Sequence, residues 1–163
     1  MLTFDHIYQS YFQDVYRFAL WLSRDSSLAD DLTSETFVRA WARRDRLRTE
    51  TLKAYLLAIT RNLFLHHRQR SGNHDELSMD LPDSAPDPLQ RISMRLEFNR
   101  VTRSLARLPE LDRTALILRT EHGLPYSEIA RVLEISEGSA RVKVHRARRR
   151  LLADTLHPNG GEQ

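Results

Sequence analysis

Apolar residues recur every three or four positions through most of this chain, and that spacing predicts α-helices. The clearest run covers residues 4–22, and similar runs cover residues 28–41 and 52–69. Two more follow at residues 92–107 and 110–121. No stretch shows the strict alternation of apolar and polar residues that is typical of a strand. The pattern therefore predicts an all-α fold.

The stretch from residue 121 to residue 152 predicts two short helices separated by a tight turn. Residues 127–133 form the first helix, residues 134–136 the turn, and Ser136 is a suitable N-cap for the second helix. The second helix is predicted to bury one stripe, formed by Ala140, Val144, Ala147 and Leu151. This is the layout of a helix-turn-helix, whose second helix can enter the major groove of DNA.

The other faces of this second helix are strongly basic. No acidic residue interrupts residues 138–153. A solvated basic helix in an ordinary bundle is one interpretation. However, a long run of one sign is self-repelling unless a polyanion is near. Charge and motif together favour nucleic-acid binding. The cations concerned are Arg141, Lys143, Arg146, Arg148, Arg149 and Arg150.

A change in composition divides the chain. Residues 71–90 contain no Lys or Arg, five acidic residues, and prolines at positions 82, 86 and 88. Proline removes helical hydrogen-bond donors, and charge of one sign keeps a segment extended. We therefore predict two small helical domains, residues 1–70 and 92–156, joined by a flexible acidic linker at residues 71–91. Residues 157–163 are predicted to be a disordered tail.

Composition limits the classes of function. The chain has 163 residues and a formal net charge of only +3, although its pI is near 9.6, so its basicity is local. The absence of cysteine excludes disulfides and thiolate zinc sites. No apolar run approaches the ~20 residues of a membrane span, and the N-terminus lacks a signal-peptide pattern. We expect a soluble cytoplasmic protein without membrane insertion.

Two other groups of polar residues allow more than one interpretation. On the second predicted helix, Asp31 and Glu35 precede Arg39, which suits the helix dipole and would equally suit a charged docking face. Near the end of the third helix, His66 and His67 point to different faces, which is a poor spacing for metal ligands even with His74 nearby. We expect neither a metal nor a cofactor.

Three segments, taken together, resemble a known family. ADDLTSETFVRAW at residues 29–41 and YLLAITRNLF at residues 55–64 are similar to region two of the extracytoplasmic-function (ECF) sigma factors. LPELDRTALILRTEHGLPYSEIARVLEISEGSARVKVHRAR at residues 108–148 is similar to region four. Their order and spacing, with a linker between them, make the resemblance specific.

The resemblance implies a sigma factor, which is not an enzyme. It would bind core RNA polymerase, direct it to promoter DNA and help to open the duplex, and an anti-sigma factor would be a further partner. Asp31, Glu35 and Arg39 would dock on the clamp helices of the largest polymerase subunit. Arg61 and Asn62 would meet the minus-ten element, where a flipped base exposes its edges. The positions that would face the minus-thirty-five element are Ser139, Arg141, Lys143, His145 and Arg146.

The chain departs from the family pattern at several positions. Val142 stands where members often have Ser, so that a contact there would be apolar, for example with a thymine methyl group. Pro125 stands where Ser commonly forms a capping box with Glu128, so the side-chain cap is missing.

The rival interpretation is a stand-alone helix-turn-helix regulator that binds duplex DNA without polymerase, normally as a dimer on a palindrome. The sequence offers neither a heptad seam nor a ligand-pocket motif for it.

Overall fold

The computed structural model describes residues 2–72 and 101–156. The chain divides into two compact units, and each unit contains one of these stretches. Within the described residues all regular structure is helical, which confirms the all-α prediction. Residues 73–91 of the predicted linker and the predicted tail at 157–163 lie outside the described residues, so the exact domain limits remain predictions.

The first unit consists of three helices that all contact one another. They are α1 (Phe4–Ser23), α2 (Ser26–Ala42) and α3 (Leu52–Ser71). Two short 3₁₀ turns, Arg44–Arg46 and Thr49–Thr51, connect α2 to α3.

The α1–α2 connection shows why α2 begins earlier than its apolar spacing predicted. Arg24 ends α1 in the left-handed region, with φ 54°, and its N–H donates to Leu20 O. The carboxylate of Asp25 then accepts the backbone N–H groups of Ser27, at 2.9 Å, and Leu28, at 3.2 Å. This N-cap satisfies donors that the first turn would otherwise leave unpaired. The helix therefore begins at Ser26 rather than Leu28.

The core of the first unit is apolar with a polar contact inside it. Phe18 and Phe37 are 1% and 2% exposed. Thr36 on α2 and Thr60 on α3 are fully buried, and their hydroxyl oxygens are 3.0 Å apart. Each hydroxyl also contacts the carbonyl oxygen four residues earlier on its own helix. The pair therefore links α2 to α3 without leaving an unpaired polar group.

Most aromatic residues of α1 are only partly buried, although they follow the apolar spacing of residues 4–22. The Tyr8 ring lies 5.1 Å from Phe12 and 5.0 Å from Phe37, centroid to centroid, yet Tyr8 is 38% exposed. Phe4 meets Trp41 edge to face at 5.7 Å. This ladder covers the core from one side and leaves ring edges at the surface.

The second unit contains the predicted helix-turn-helix. A helical segment at residues 101–106 precedes α4 (Glu110–Thr120), α5 (Tyr126–Leu133) and α6 (Glu137–Leu156). Both α4 and α5 pack on α6, and they also contact each other. The helix-turn-helix itself comprises α5, α6 and the turn between them.

Local hydrogen bonds define the turn between α5 and α6. Glu134 ends α5 in the left-handed region, with φ 57°. The Ile135 N–H donates to Ala130 O at 3.0 Å. Ser136 Oγ accepts the Ser139 N–H at 3.1 Å, which is the N-cap that the sequence predicted. The start of α5 has no side-chain cap at Pro125, also as predicted.

Small residues allow α6 to approach its neighbours closely. Ala140, Val144 and Ala147 are fully buried, and Leu151 is half-buried. Three of the four residues of the predicted stripe thus form the inner face of α6. Because they are small, the flanks of α6 lie close to polar side chains on α4 and α5.

Candidate polymerase and nucleic-acid interfaces

The position of each residue around α6 determines which neighbour it meets. At 3.6 residues per turn, Arg141 and Arg146 lie about 140° apart around the helix, on opposite flanks. Between them, His145 and Arg149 are exposed, and Val142 is 59% exposed. The outermost face of α6 is therefore partly apolar, with basic flanks.

One flank of α6 carries Arg141 beside an aromatic ring. The Arg141 guanidinium carbon lies 5.2 Å from the Tyr126 ring centroid, and that of Arg119 lies 4.6 Å from the same centroid. Arg119 Nη1 also donates to Leu124 O at 3.0 Å, which fixes Arg119 to its own turn. The Arg141 side chain remains 56% exposed, with Glu137 at 3.9 Å. Its guanidinium is thus oriented by packing and still open to solvent.

The opposite flank carries Arg146 and Lys143, and both face Asp112 of α4. Arg146 Nε and Nη2 donate to the two carboxylate oxygens of Asp112 at 2.6 and 2.9 Å. Lys143 Nζ lies 3.9 Å from Asp112 Oδ1. The Asp112 side chain is only 1% exposed, whereas Arg146 is 48% exposed. Two cations of the basic helix therefore have an internal partner.

The electrostatics of this cluster follow from its geometry. The hydrogen bond from Arg146 holds the pKa of Asp112 below its ordinary value, and the nearby charges of Arg146, Lys143 and Arg150 act in the same direction, against the effect of burial. The carboxylate in turn raises the pKa of Arg146. Both groups are ionised at neutral pH, so the contact is a charge-assisted, two-pronged hydrogen bond.

Sequence reasoning missed Asp112. The only local signal was an acidic residue beside the apolar positions of α4, next to Leu111 and three residues before Ala115. Positions three or four apart share a helix face, so Asp112 lies beside the buried Ala115. A buried carboxylate requires a cation. That requirement could have pointed to a basic partner, but not to which one.

The remaining predicted residues of the basic helix are Ser139 and His145. Ser139 is half-buried in the first turn of α6, and because its backbone N–H already donates to Ser136 Oγ, a phosphate contact by Ser139 would use its hydroxyl group. His145 is exposed near the outer face. The structure thus places Arg141 and His145 toward solvent, and Lys143 and Arg146 toward α4.

In the first unit, α2 presents Asp31, Glu35 and Arg39 along one exposed side. All three are exposed, and they are spaced four apart, which places them on one helix face. Arg39 Nε and Glu35 Oε1 are 2.9 Å apart, with the two side chains 58% and 50% exposed. An exposed pair of this kind contributes only about 0.3–0.5 kcal/mol to stability. Val38 is 59% exposed nearby, which adds an apolar surface.

A groove of about 650 Å³ is lined by residues of α2 and α3. Asn62 lines it, whereas Arg61, one residue earlier, is half-buried and does not. Ile59 and Leu63 follow the apolar spacing of residues 52–69, yet they are only half-buried because they line this groove. The polar residues of the lining are Arg39, Arg43, Tyr55, Asn62, His66 and Gln69. Aromatic, amide and guanidinium groups together can stack on, hydrogen-bond and neutralise a nucleotide.

No group of three potential metal ligands occurs in the part of the chain that the structure describes, and His74 lies outside it. Among the described helices, none combines the length and apolar composition that crossing a bilayer requires.

The two units match two regions of one protein family. Residues 7–73 match sigma-70 region 2, and residues 98–151 match sigma-70 region 4. The ECF RNA polymerase sigma factor SigM of Bacillus subtilis is 34% identical over 154 residues, which cover 93% of this chain and 94% of SigM. The chain belongs to the ECF family of RNA polymerase sigma factors. SigC of Mycobacterium tuberculosis, another member, is 35% identical over 144 residues, covering 87% of this chain and 77% of SigC.

The fold of this ECF sigma factor is similar to that of a solved sigma factor. The sigma factor RpoE of Bartonella quintana, solved in complex with the anti-sigma factor NepR, is similar with a TM-score of 0.72 and 28% identity. The similarity covers 96% of this chain and 98% of that one. The resemblance stated from sequence is confirmed: the protein is a sigma factor that works with RNA polymerase in promoter recognition. The stand-alone regulator is not favoured.

Proposed function

We propose that the two units of this sigma factor divide promoter recognition between them. The first unit docks on core RNA polymerase through α2 and engages the minus-ten element at the α2–α3 groove. The second unit binds the minus-thirty-five element through α6. The observation that supports this proposal is the exposed, charged face of α2, which lies in the other unit from the helix-turn-helix and which duplex binding by α6 alone would not use.

The docking surface consists of Asp31, Glu35 and Arg39. These charges contribute little to folding, so their placement along one exposed face suits a partner. The clamp helices of the largest polymerase subunit would supply the complementary charges. Reversing the acidic charges would place like charges together, which can cost several kcal/mol at an interface.

The minus-ten contact is proposed for the groove and its rim. Asn62 lines the groove and can both donate to and accept from a base edge. Arg61, half-buried one residue earlier, would contribute charge to the DNA backbone rather than to the groove. Asn62→Ala should leave binding to core and to the minus-thirty-five element unchanged and reduce duplex opening, which permanganate footprinting measures directly. Normal opening with an unchanged minus-ten preference would remove Asn62 from the site.

For the minus-thirty-five element we propose Ser139, Arg141 and His145 as the DNA-facing residues. Arg141 is exposed and oriented, and an Arg in this position can donate two bonds to guanine. Lys143 and Arg146 belong to the same predicted set, but their contacts with Asp112 change what they are free to do.

An anti-sigma factor is a further proposed partner, because the Bartonella quintana relative was solved with one. We also propose that the protein acts in the cytoplasm, where RNA polymerase operates, and that it has no enzymatic activity of its own.

Run-off transcription with purified core polymerase tests the docking proposal. The double variant Asp31→Lys with Glu35→Lys should keep the helical circular-dichroism signal, lose binding to core and abolish transcription. A control for added positive charge, Asp5→Lys with Gln9→Lys, changes two exposed positions with the same spacing on α1 and should transcribe normally. If the α2 variant transcribes as well as the control, the docking surface lies elsewhere. A wild-type chain that cannot bind core would overturn the whole proposal.

A further inference from the structure

The two cations on one flank of α6, Lys143 and Arg146, already contact another residue of the same chain. Both cations lie on the carboxylate of Asp112, which comes from α4, 34 residues earlier in the sequence than Arg146. The Asp112 side chain is 1% exposed, and its two carboxylate oxygens accept hydrogen bonds from Nε and Nη2 of Arg146. This is the geometry with which arginine also grips a phosphate.

We propose that Asp112 is a positioning residue that withholds Arg146 and Lys143 from DNA. This inference rests on the proposed binding of α6 to the minus-thirty-five element. Asp112 fastens one flank of α6 to α4 and occupies the Nε–Nη2 edge of the Arg146 guanidinium, an edge that could otherwise form a two-pronged contact with a phosphate or a guanine. Arg141, on the other flank, keeps its exposed guanidinium for the DNA.

The competition between carboxylate and phosphate favours the internal contact. If Arg146 turned to a phosphate, the buried Asp112 carboxylate would lose both of its hydrogen bonds to Arg146 and keep only the longer-range charges of Lys143, at 3.9 Å, and Arg150. Breaking one partner of a buried ion pair is strongly destabilising, because it leaves an uncompensated charge. A DNA phosphate, which is already solvated, offers Arg146 no comparable gain. The paired state should therefore persist in the complex.

The consequence is measurable in the salt dependence of binding. Each phosphate neutralised on duplex DNA contributes about 0.9 to the slope of log affinity against log salt. Cations held by Asp112 do not contribute to that slope. Releasing both Arg146 and Lys143 should therefore make the slope steeper by about 1 to 2. Replacing Arg146 in the same variant should then make the slope shallower by about 1.

The test measures binding of the full chain to a mixed-sequence 30-base-pair duplex by fluorescence anisotropy over a series of potassium chloride concentrations. Asp112→Asn keeps the shape of the side chain and removes its charge. We expect tighter binding at low salt and a steeper slope than wild type. In Asp112→Asn with Arg146→Gln, the slope should fall back by about 1, because the released guanidinium is gone. A purely structural role of Asp112 would not produce this reversal.

Glu121→Gln is the control for charge. Glu121 is exposed in the same unit, so its neutralisation changes the long-range field without releasing a paired cation, and the slope should stay at the wild-type value. A folded Asp112→Asn variant with the wild-type slope would overturn the inference.

If Asp112→Asn loses its helical circular-dichroism signal, the salt slope of the single variant Arg146→Gln tests the inference instead. A wild-type slope in that variant supports the inference, because Arg146 then makes no phosphate contact. A slope lower by about 0.9 overturns it. A wild-type chain that shows no salt-dependent duplex binding, either alone or bound to core polymerase, would instead refute the assignment of α6 to DNA, which is a separate failure.

Discussion

The orientation of Arg141 by Tyr126 gives a sharp prediction about promoter recognition. The Tyr126 ring centroid is 5.2 Å from the Arg141 guanidinium and 4.6 Å from that of Arg119. Because the Arg141 side chain is 56% exposed, the contact belongs to the weak class of cation–π interactions, about 0.5–1 kcal/mol. Arg119 is also held by Leu124 O, so removing the ring should mainly free Arg141.

Tyr126→Leu should therefore weaken binding to a selected duplex by about two- to fivefold, which corresponds to 0.5–1 kcal/mol. The physical reason is that a free arginine side chain must be ordered when it binds, at a cost of about 0.5–1.5 kcal/mol. The duplex is first recovered from a randomised pool by the wild-type chain, and affinity is then measured by fluorescence anisotropy. A scrambled duplex serves as the reference for non-specific binding.

Two further variants separate orientation from general damage. Tyr126→Phe keeps the aromatic face and should bind like wild type. In an Arg141→Ala background, Tyr126→Leu should have almost no further effect, because the side chain that it orients is absent. Equal losses for Tyr126→Leu with and without Arg141 would refute the reasoning, since independent contributions add and coupled ones do not.

Three other predictions follow from particular contacts. Thr36→Val or Thr60→Val should each destabilise the first unit by about 1 kcal/mol, and the double variant should lose less than the sum, because the two hydroxyls share one contact. Urea unfolding followed by tryptophan fluorescence measures this loss, since one tryptophan lies in α1 and the other in α2. Val142→Ser should lower affinity by about 1 kcal/mol or less only for duplexes with thymine at the contacted position, and replacing that thymine by deoxyuridine should abolish the difference. The pKa of Asp112 is depressed in the folded protein, so its ionised form stabilises the fold at neutral pH. This contribution is lost as the pH falls below about 3.9, the ordinary pKa of an aspartate, toward the lower pKa of the folded state. Over that pH range the difference in unfolding free energy between wild type and Asp112→Asn, measured by circular dichroism, should shrink.

Helix position and type were predictable because their signals are local. The apolar spacing predicted the start of α1 at Phe4 and that of α3 at Leu52, and both are correct. The cap at Ser136 was likewise visible in a few neighbouring residues. The start of α2 was missed by two residues because its signal is the single side chain of Asp25, which lies in a polar turn without periodicity.

The α2–α3 groove was not predictable from either helix alone. Ile59 and Leu63 follow the apolar spacing of α3, which places them on its inward side. Whether an apolar side chain is covered depends on the helix opposite, and here the end of α2 leaves part of α3 open. Periodicity identifies the side of a helix that is apolar, but it does not show how far a neighbour extends over it.

The basic helix shows the same limit for charge, with a larger consequence for function. The sequence counts Arg141 and Arg146 as equal members of a basic run, yet they lie about 140° apart and meet different neighbours. One meets an aromatic ring that leaves its charge available, and the other meets a buried carboxylate that neutralises it. Asp112 is too distant in sequence for any local pattern to connect it with α6. The number of cations on a basic helix is therefore an upper limit on its phosphate contacts, and under the inference drawn above the packing against α4 lowers that limit by as many as two.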